Sequence, residues 1–386
     1  MDLKIFHTAD WHLGKLVQGV YMTEDQRFIL QAFIEEIKKE RPDVVVIAGD
    51  LYDRAIPPTE AVGLLNEVLQ EIVIDLKTPV IAIAGNHDSP SRLHFGSTFM
   101  KDQGLYITGE LSTHLSPIKL HDQYGDVYFH LIPYADPSVV SYLFEDDTIS
   151  THQKAMKKII ERIEQSMDKD ARHVLVGHAF ITKHGEKEEN TSDAERPLSI
   201  GGAEYVSSDL FEPFHYTALG HLHQAHFVGN ETIRYSGSPL KYSISEQNHQ
   251  KGYLIVELAE NGEVETEKRL LTPLHDVRTV EGTMEDIVAM EHNEDYVYVK
   301  LLDTVPVIQP MEKIRSVFPN AMHVERKLVV SSSDGIGGSV DVEKKEDDQA
   351  MFASFFKELQ GEEADEETKE LFAEVLWDVM KEEGHS

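Results

Sequence analysis

Cysteine is absent from the 386 residues of the chain. That excludes disulfides, a thiolate nucleophile and a sulfur-bound zinc. No apolar run approaches the roughly 18 residues of a transmembrane helix. The N-terminus, Met1-Asp2-Leu3-Lys4-Ile5-Phe6, enters a strand-like run directly and carries no signal-peptide pattern. The expectation is a soluble, cytoplasmic protein without a membrane partner. Basic residues are scarce: 36 Lys and Arg stand against 69 Asp and Glu, a net charge of −33. Charge of that sign argues against nucleic acid, because phosphate binding favours a basic face. The excess is uneven. Residues 341–386 hold 16 acids and 5 Lys, or −11, which leaves −22 for the preceding 340 residues. Divalent cations at a metal site would offset part of the rest. There is no internal repeat and no Gln-rich or Pro-rich tract.

What the chain does have is a set of short apolar runs that end in ligand-type residues. Val44-Val45-Val46-Ile47-Ala48 ends in Gly49-Asp50. A β-branched run bounded by Gly reads as a strand buried on both faces. Such strands belong to sheets covered on both sides. Lys4–His7 leads to Asp10 and His12, Val80–Ala84 to Asn86 and His87, and His173–Val176 to His178. Thr217-Ala218-Leu219 leads to His221 and His223. The C-terminal ends of strands are where α/β sheets gather ligands, so the pattern outlines a metal site with Asp50 at its centre. Asp10 and His12, two residues apart, fall on one face if strand geometry persists there. Each piece alone is weak, since an isolated histidine is mostly a surface or satisfied core residue. Their order, each after a strand, is specific.

The intervening segments supply helices. The periodicity predicts one from Glu24 to Lys39, with Phe28, Ile29, Ala32, Phe33, Ile34 and Ile37 on its apolar face, stopped by Pro42. A second is predicted over 59–75, with Thr59 as N-cap. Residues 1–87 thus read β-α-β-α-β, which points to a parallel sheet. Shorter strands, a helix over 150–168 and a long polar loop over 183–200 follow. Residues 276–332 read as a small α+β unit. Beyond the Ser/Gly-rich Ser331–Gly338 lies a charged tail with two apolar stripes. Met351, Phe352, Phe355, Phe356 and Leu359 form the first; Leu371, Phe372, Val375, Leu376, Val379 and Met380 form the second. The two could pack on each other or take a partner.

The ordered motifs resemble those of the calcineurin-like metallophosphoesterases: Asp10-x-His12, Gly49-Asp50, Gly85-Asn86-His87-Asp88, Gly177-His178 and Gly220-His221-x-His223. Thr8-Ala9-Asp10-Trp11-His12-Leu13-Gly14, Ser192-Asp193-Ala194-Glu195-Arg196-Pro197-Leu198 and Tyr235-Ser236-Gly237-Ser238-Pro239-Leu240 narrow the resemblance to the SbcD nuclease family. The implied fold is α/β, with layered mixed sheets flanked by helices over 1–270. A small α+β capping domain over 271–332, a linker over 333–347 and a helical tail over 348–386 would follow. The mixed imidazole, carboxylate and amide donors suit Mn²⁺, Fe²⁺ or Zn²⁺ better than Mg²⁺ or Ca²⁺, and the resemblance implies two divalent ions, of Mn²⁺. One would take Asp10, His12, Asp50 and His223. The other would take Asp50, Asn86, His178 and His221. His87 would protonate the leaving oxygen, and Asp88 would hold its ring. Family members cut double-stranded and hairpin DNA as homodimers with the coiled-coil ATPase SbcC, on which the tail would dock. Archaeal and eukaryotic relatives carry His three residues after the bridging Asp, where this chain has Asp53. Two alternatives stay open, a small-molecule phosphodiesterase acting on nucleotides or cyclic nucleotides, and a non-catalytic scaffold.

Overall fold

The structure is a computed structural model. It describes residues 2–185, 192–195, 198, 204–326 and, in the tail, 352, 356, 365, 368, 369, 371 and 372. Ser331–Gly338, the expected linker and most of both tail stripes lie outside the described residues. So do Arg196, Pro197 and residues 327–332 of the expected capping domain.

Two six-stranded mixed sheets pack face to face. In the first, Leu3–Thr8, Val44–Ile47, Val80–Ile83 and Leu105–Thr108 run parallel. Gly252–Leu258 and Val264–Leu270 add antiparallel at the Leu3–Thr8 side. In the second, Gly125–Ile132, Arg172–His178, Tyr216–Gly220 and Asn230–Tyr235 run parallel, with antiparallel edges at Ile118–Asp122 and His226–Val228. The run Val44–Ile47 is apolar throughout because both its faces are covered. Val44 and Val46 meet Phe129, Val174 and Ala218 of the other sheet. Val45 and Ile47 face the opposite way, onto Phe33 and Leu65 of the outer helices. Leu175 and Leu219 of the second sheet likewise pack on Ile159 and Ile163 of helix His152–Glu164. The molecule is therefore layered helix, sheet, sheet, helix.

The first helix spans Thr23–Glu40 and ends at Arg41 in a left-handed conformation before Pro42. Its buried face uses Ile29, Leu30, Phe33, Ile34 and Ile37, whereas Phe28 points outward and is 45% exposed. Thr59 is not the cap of the second helix: Pro58 takes that position, and Thr59 opens Thr59–Leu69. A π-helical stretch, Gln70–Asp75, prolongs it. The helix Pro137–Phe144 was not anticipated. Asp136 caps it by accepting from the Ser138 N–H (2.8 Å), and Pro137 sits in its first turn.

Val277–Gly282, Tyr296–Leu301 and His323–Arg326 form a separate three-stranded parallel sheet. Val299 and Leu301 pack there on Ile287 and Ile314 from helices Met284–Val288 and Pro310–Arg315. This unit is tied to the first helix through one buried acid. Asp25 accepts from Tyr296 Oη at 2.7 Å and lies 2.8 Å from His275 Nδ1. The chain divides into compact units Met1–Val329 and Val330–Ser386. In the second unit the rings of Phe352 and Phe372 stack at 4.0 Å, so the two apolar stripes meet each other there, while Leu371 is exposed.

Candidate metal centre

Five strand ends from the two sheets converge on one point, and the chain turns sharply at each. The strand before Asp10 stops at Thr8, so persisting strand geometry is not what groups Asp10 with His12. Both residues, like Asp50, hold left-handed backbone, with φ of 54°, 47° and 50°. Such values are uncommon outside Gly and concentrate at functional sites. Two backbone bonds secure the bends: Asp10 N–H donates to Gly49 O at 3.1 Å, and His12 N–H to Asp50 O at 2.9 Å. Gln26, buried beneath, donates to the carbonyls of Trp11 and His12 and accepts from Gly14 N–H. Two glycines are required by close approach. A Cβ on Gly85 would lie 2.1 Å from Asp50 Oδ1, and one on Gly49 would lie 2.3 Å from His178 Nδ1.

The donor atoms form two groups of metal-binding spacing around Asp10 and Asp50: Asp10, His12, His223, and Asp10, Asp50, His178. In the second, His178 Nδ1 lies 4.0 Å from Asp10 Oδ1. That nitrogen already donates to the Ala48 carbonyl at 2.9 Å. The Nε2 of His178 lies 3.4 Å from Asp50 Oδ2 and 2.9 Å from Asn86 Oδ1. Asp50 Oδ2 is also 3.7 Å from His12 Nε2. Asp50 Oδ2 is therefore close to a histidine of each group, and Asp10 belongs to both. His221 Nδ1 lies 3.3 Å from Asn86 Oδ1, and the His221 backbone N–H donates to both Asp10 oxygens. All seven expected ligand residues and His87 are thus brought together.

The chemistry of these donors fits divalent cations. With Nδ1 committed as donor, a neutral His178 offers only a lone pair at Nε2, and that lone pair faces two oxygens. His223 Nδ1 is likewise 2.9 Å from the Glu246 carboxylate, which can only accept, and its Nε2 lies 3.0 Å from His12 Nε2. His12 Nδ1 is buried without a hydrogen bond. Burial raises Asp10 and Asp88 to about 7, with the Asp50 charge adding to the effect at Asp88. Burial also pulls His12 and His221 well below the usual histidine value. Nearby cations would oppose the rise at the acids and favour the neutral, ligating imidazole.

The calcineurin-like phosphoesterase family profile matches residues 3–225. A second profile, described as the type 5 capsule protein repressor C-terminal domain of the SbcD type, matches 273–360. The SbcD subunit of the nuclease SbcCD from Staphylococcus epidermidis is 37% identical over 386 residues, covering 99% of this chain and 100% of its own. The chain belongs to the SbcD family of calcineurin-like phosphoesterases. As a member it is a metal-dependent phosphodiester hydrolase. Two solved structures also align, TT1561 of Thermus thermophilus and a dimetal phosphatase from Danio rerio. Their identities are 12% and 11% and their TM-scores 0.38 and 0.39; each covers 69% of this chain and 99% of its own.

Around this SbcD-type centre the structure revises one expected role. The His87 ring donates from Nδ1 to the Asp53 carbonyl at 2.8 Å. The Asp88 carboxylate instead accepts the backbone N–H groups of Leu51, Tyr52 and Gly85. Asp88 therefore shapes the loops that carry Asp50 and Asn86. Asp53 itself pairs with Lys15 at 2.8 Å and lies with His12 and His87 in a third donor group. A cleft of about 420 Å³ opens beside His87 and is lined also by Lys15, Gln18, Tyr242 and Tyr298. Sequence reasoning missed Glu246 and Lys251, and gave no role to Glu195. No strand-end signal marks them, although Glu195 lies within a motif shared with the family.

Proposed function

We propose that the chain is a two-metal DNA phosphodiesterase, a double-strand exonuclease and hairpin or single-strand endonuclease that works with the SbcC ATPase. The observation that carries this reading is the convergence of imidazole lone pairs and carboxylates from five strand ends on Asp50. One ion would be held by Asp10, His12, Asp50 and His223, the other by Asp50, Asn86, His178 and His221. Bound Mn²⁺ ions supply Lewis acidity to the phosphoryl oxygens and to the attacking water. His87, held at Nδ1 by the Asp53 carbonyl, presents Nε2 beside the cleft. In its protonated form that nitrogen donates to the departing oxygen. Lys15, braced by Asp53, lines the same cleft and supplies positive charge to a phosphate there.

Residues 1–270 would carry catalysis, 271–332 cap it, and 333–347 link it to a tail, 348–386, that binds SbcC. The protein would act as a cytoplasmic homodimer. Leu65, Leu69 and Leu93 are buried in its own core and leave Phe95 (82% exposed), Phe99 (84%) and Val62 as the apolar surface for a second copy. No helix among the described residues is long and apolar enough to cross a membrane.

The test is digestion of linear duplex and hairpin oligonucleotides with Mn²⁺, with and without SbcC and ATP, beside a cyclic nucleotide. Cleavage of both DNAs, abolished by Asp50→Asn in a folded protein, is expected. Turnover of the cyclic nucleotide alone would make this a small-molecule phosphodiesterase, and strong cleavage by Asp50→Asn would remove Asp50 from between the ions.

A further inference from the structure

His223 is gripped at three atoms by three charged side chains, and none of the three is among the proposed ligands. Its Nδ1 donates to Glu246 Oε1 (2.9 Å), its backbone N–H to Glu195 Oε1 (2.6 Å), and its carbonyl accepts from Lys251 Nζ (2.8 Å). Glu246 is fully buried, and both its oxygens are saturated. Oε1 also accepts from Ser192 Oγ at 3.0 Å, while Oε2 takes Lys251 Nζ at 2.6 Å and Tyr242 N–H at 3.3 Å. Lys251 spends its third proton on Ser238 Oγ at 2.8 Å. An ammonium has three donors and no acceptor, so this one is fully used. Burying two opposite charges is costly unless the geometry satisfies every lone pair and proton, and here it does.

We propose that Glu246, neutralised by Lys251, is the positioning residue for His223. It fixes the proton on Nδ1, leaves the Nε2 lone pair for the ion shared with Asp10 and His12, and makes that imidazole more basic. His178, a proposed ligand of the other ion, is backed differently: its Nδ1 rests on a neutral carbonyl. A carboxylate behind a ligating imidazole strengthens binding more than a carbonyl does, and losing such a partner typically costs about 10–100-fold in metal affinity. The grip is therefore directed at one of the two ions.

This inference rests on the two-ion reading, so the experiment counts ions first. Mn²⁺ is titrated into metal-free full-length protein and free Mn²⁺ is followed by its paramagnetic resonance. Wild type, Glu246→Gln, and Glu246→Gln with Lys251→Met are compared. The double variant removes the unpaired buried ammonium that the single one leaves, and so protects against loss of folding. Two ions in wild type, with one weakened about 10–100-fold and the other unchanged in the folded double variant, is the expected result. In metal-free wild type the His223 Nδ1 proton should also give a nitrogen-15-coupled signal slow to exchange with water, and that signal should be lost in the variants. Unchanged affinities in the double variant, or equal weakening of both ions, overturn the inference alone. Fewer than two ions in wild type overturns it together with the two-ion reading.

Discussion

At the scale of single residues, the proposed division between proton chemistry and metal holding turns on His87. Its ring is fixed from behind by a backbone carbonyl, and its Nε2 lies 4.0 Å from Asp50 Oδ2, farther than His178 Nε2 at 3.4 Å or His12 Nε2 at 3.7 Å. His87→Ala should keep two bound ions and lose about 10²–10⁴-fold in cleavage rate, the usual worth of a positioned acid. Metal counting beside single-turnover kinetics checks it, and loss of an ion would make His87 a ligand. The seven ligand candidates were legible in the sequence because each follows an apolar run and a short polar turn. Glu246 was not, because it lies in a short turn, Ile244–Glu246, and matters only through contacts with His223 and Lys251. Asp88 was legible as a site residue, but its role was not: only the folded loops show that its oxygens serve three amides.

Strands and helices were read best where burial dictates a period. Val44–Ile47 is buried on both faces and helix Thr23–Glu40 on one, and both patterns can be seen in the residues alone. Pro137–Phe144 buries only Val140, so it offers no stripe to recognise. How the two sheets pair is written in no local pattern either. One link between them is a hydrogen bond from a side chain that an ion pair within its own sheet holds in place. Arg172, at the start of its strand, grips Asp122 with two nitrogens, at 2.9 and 2.6 Å, and also reaches the Leu258 carbonyl in the facing sheet. The hydrogen bonds from Arg172 hold the Asp122 carboxyl below the usual carboxylate range. A folded value below the unfolded one stabilises the protein above the unfolded pKa of about 3.9 and fades as pH falls through the folded value. Asp122→Asn should therefore cost about 3 kcal/mol at pH 7, since it leaves a buried guanidinium unpaired. The gap from wild type should narrow below about pH 4. Urea unfolding at pH 7 and pH 3 measures both, and a gap that does not change with pH would mean that the pair contributes through shape alone.

For the whole molecule, the division at Val330 puts the acidic tail in a unit of its own. Deleting residues 341–386 should leave Mn²⁺-dependent cleavage of simple duplexes within about twofold and abolish stable association with SbcC, since an amphipathic helix supplies the anchors for groove binding. Co-purification with SbcC checks this, and unchanged retention by the truncated chain would place the partner site elsewhere. The centre itself draws on side chains from Asp10 to Lys251, and both sheets must close before its donors meet. Contacts so distant in sequence form late. A ribosome making this chain therefore carries a polypeptide without an assembled centre until at least His223, the last of the proposed ligands, has emerged.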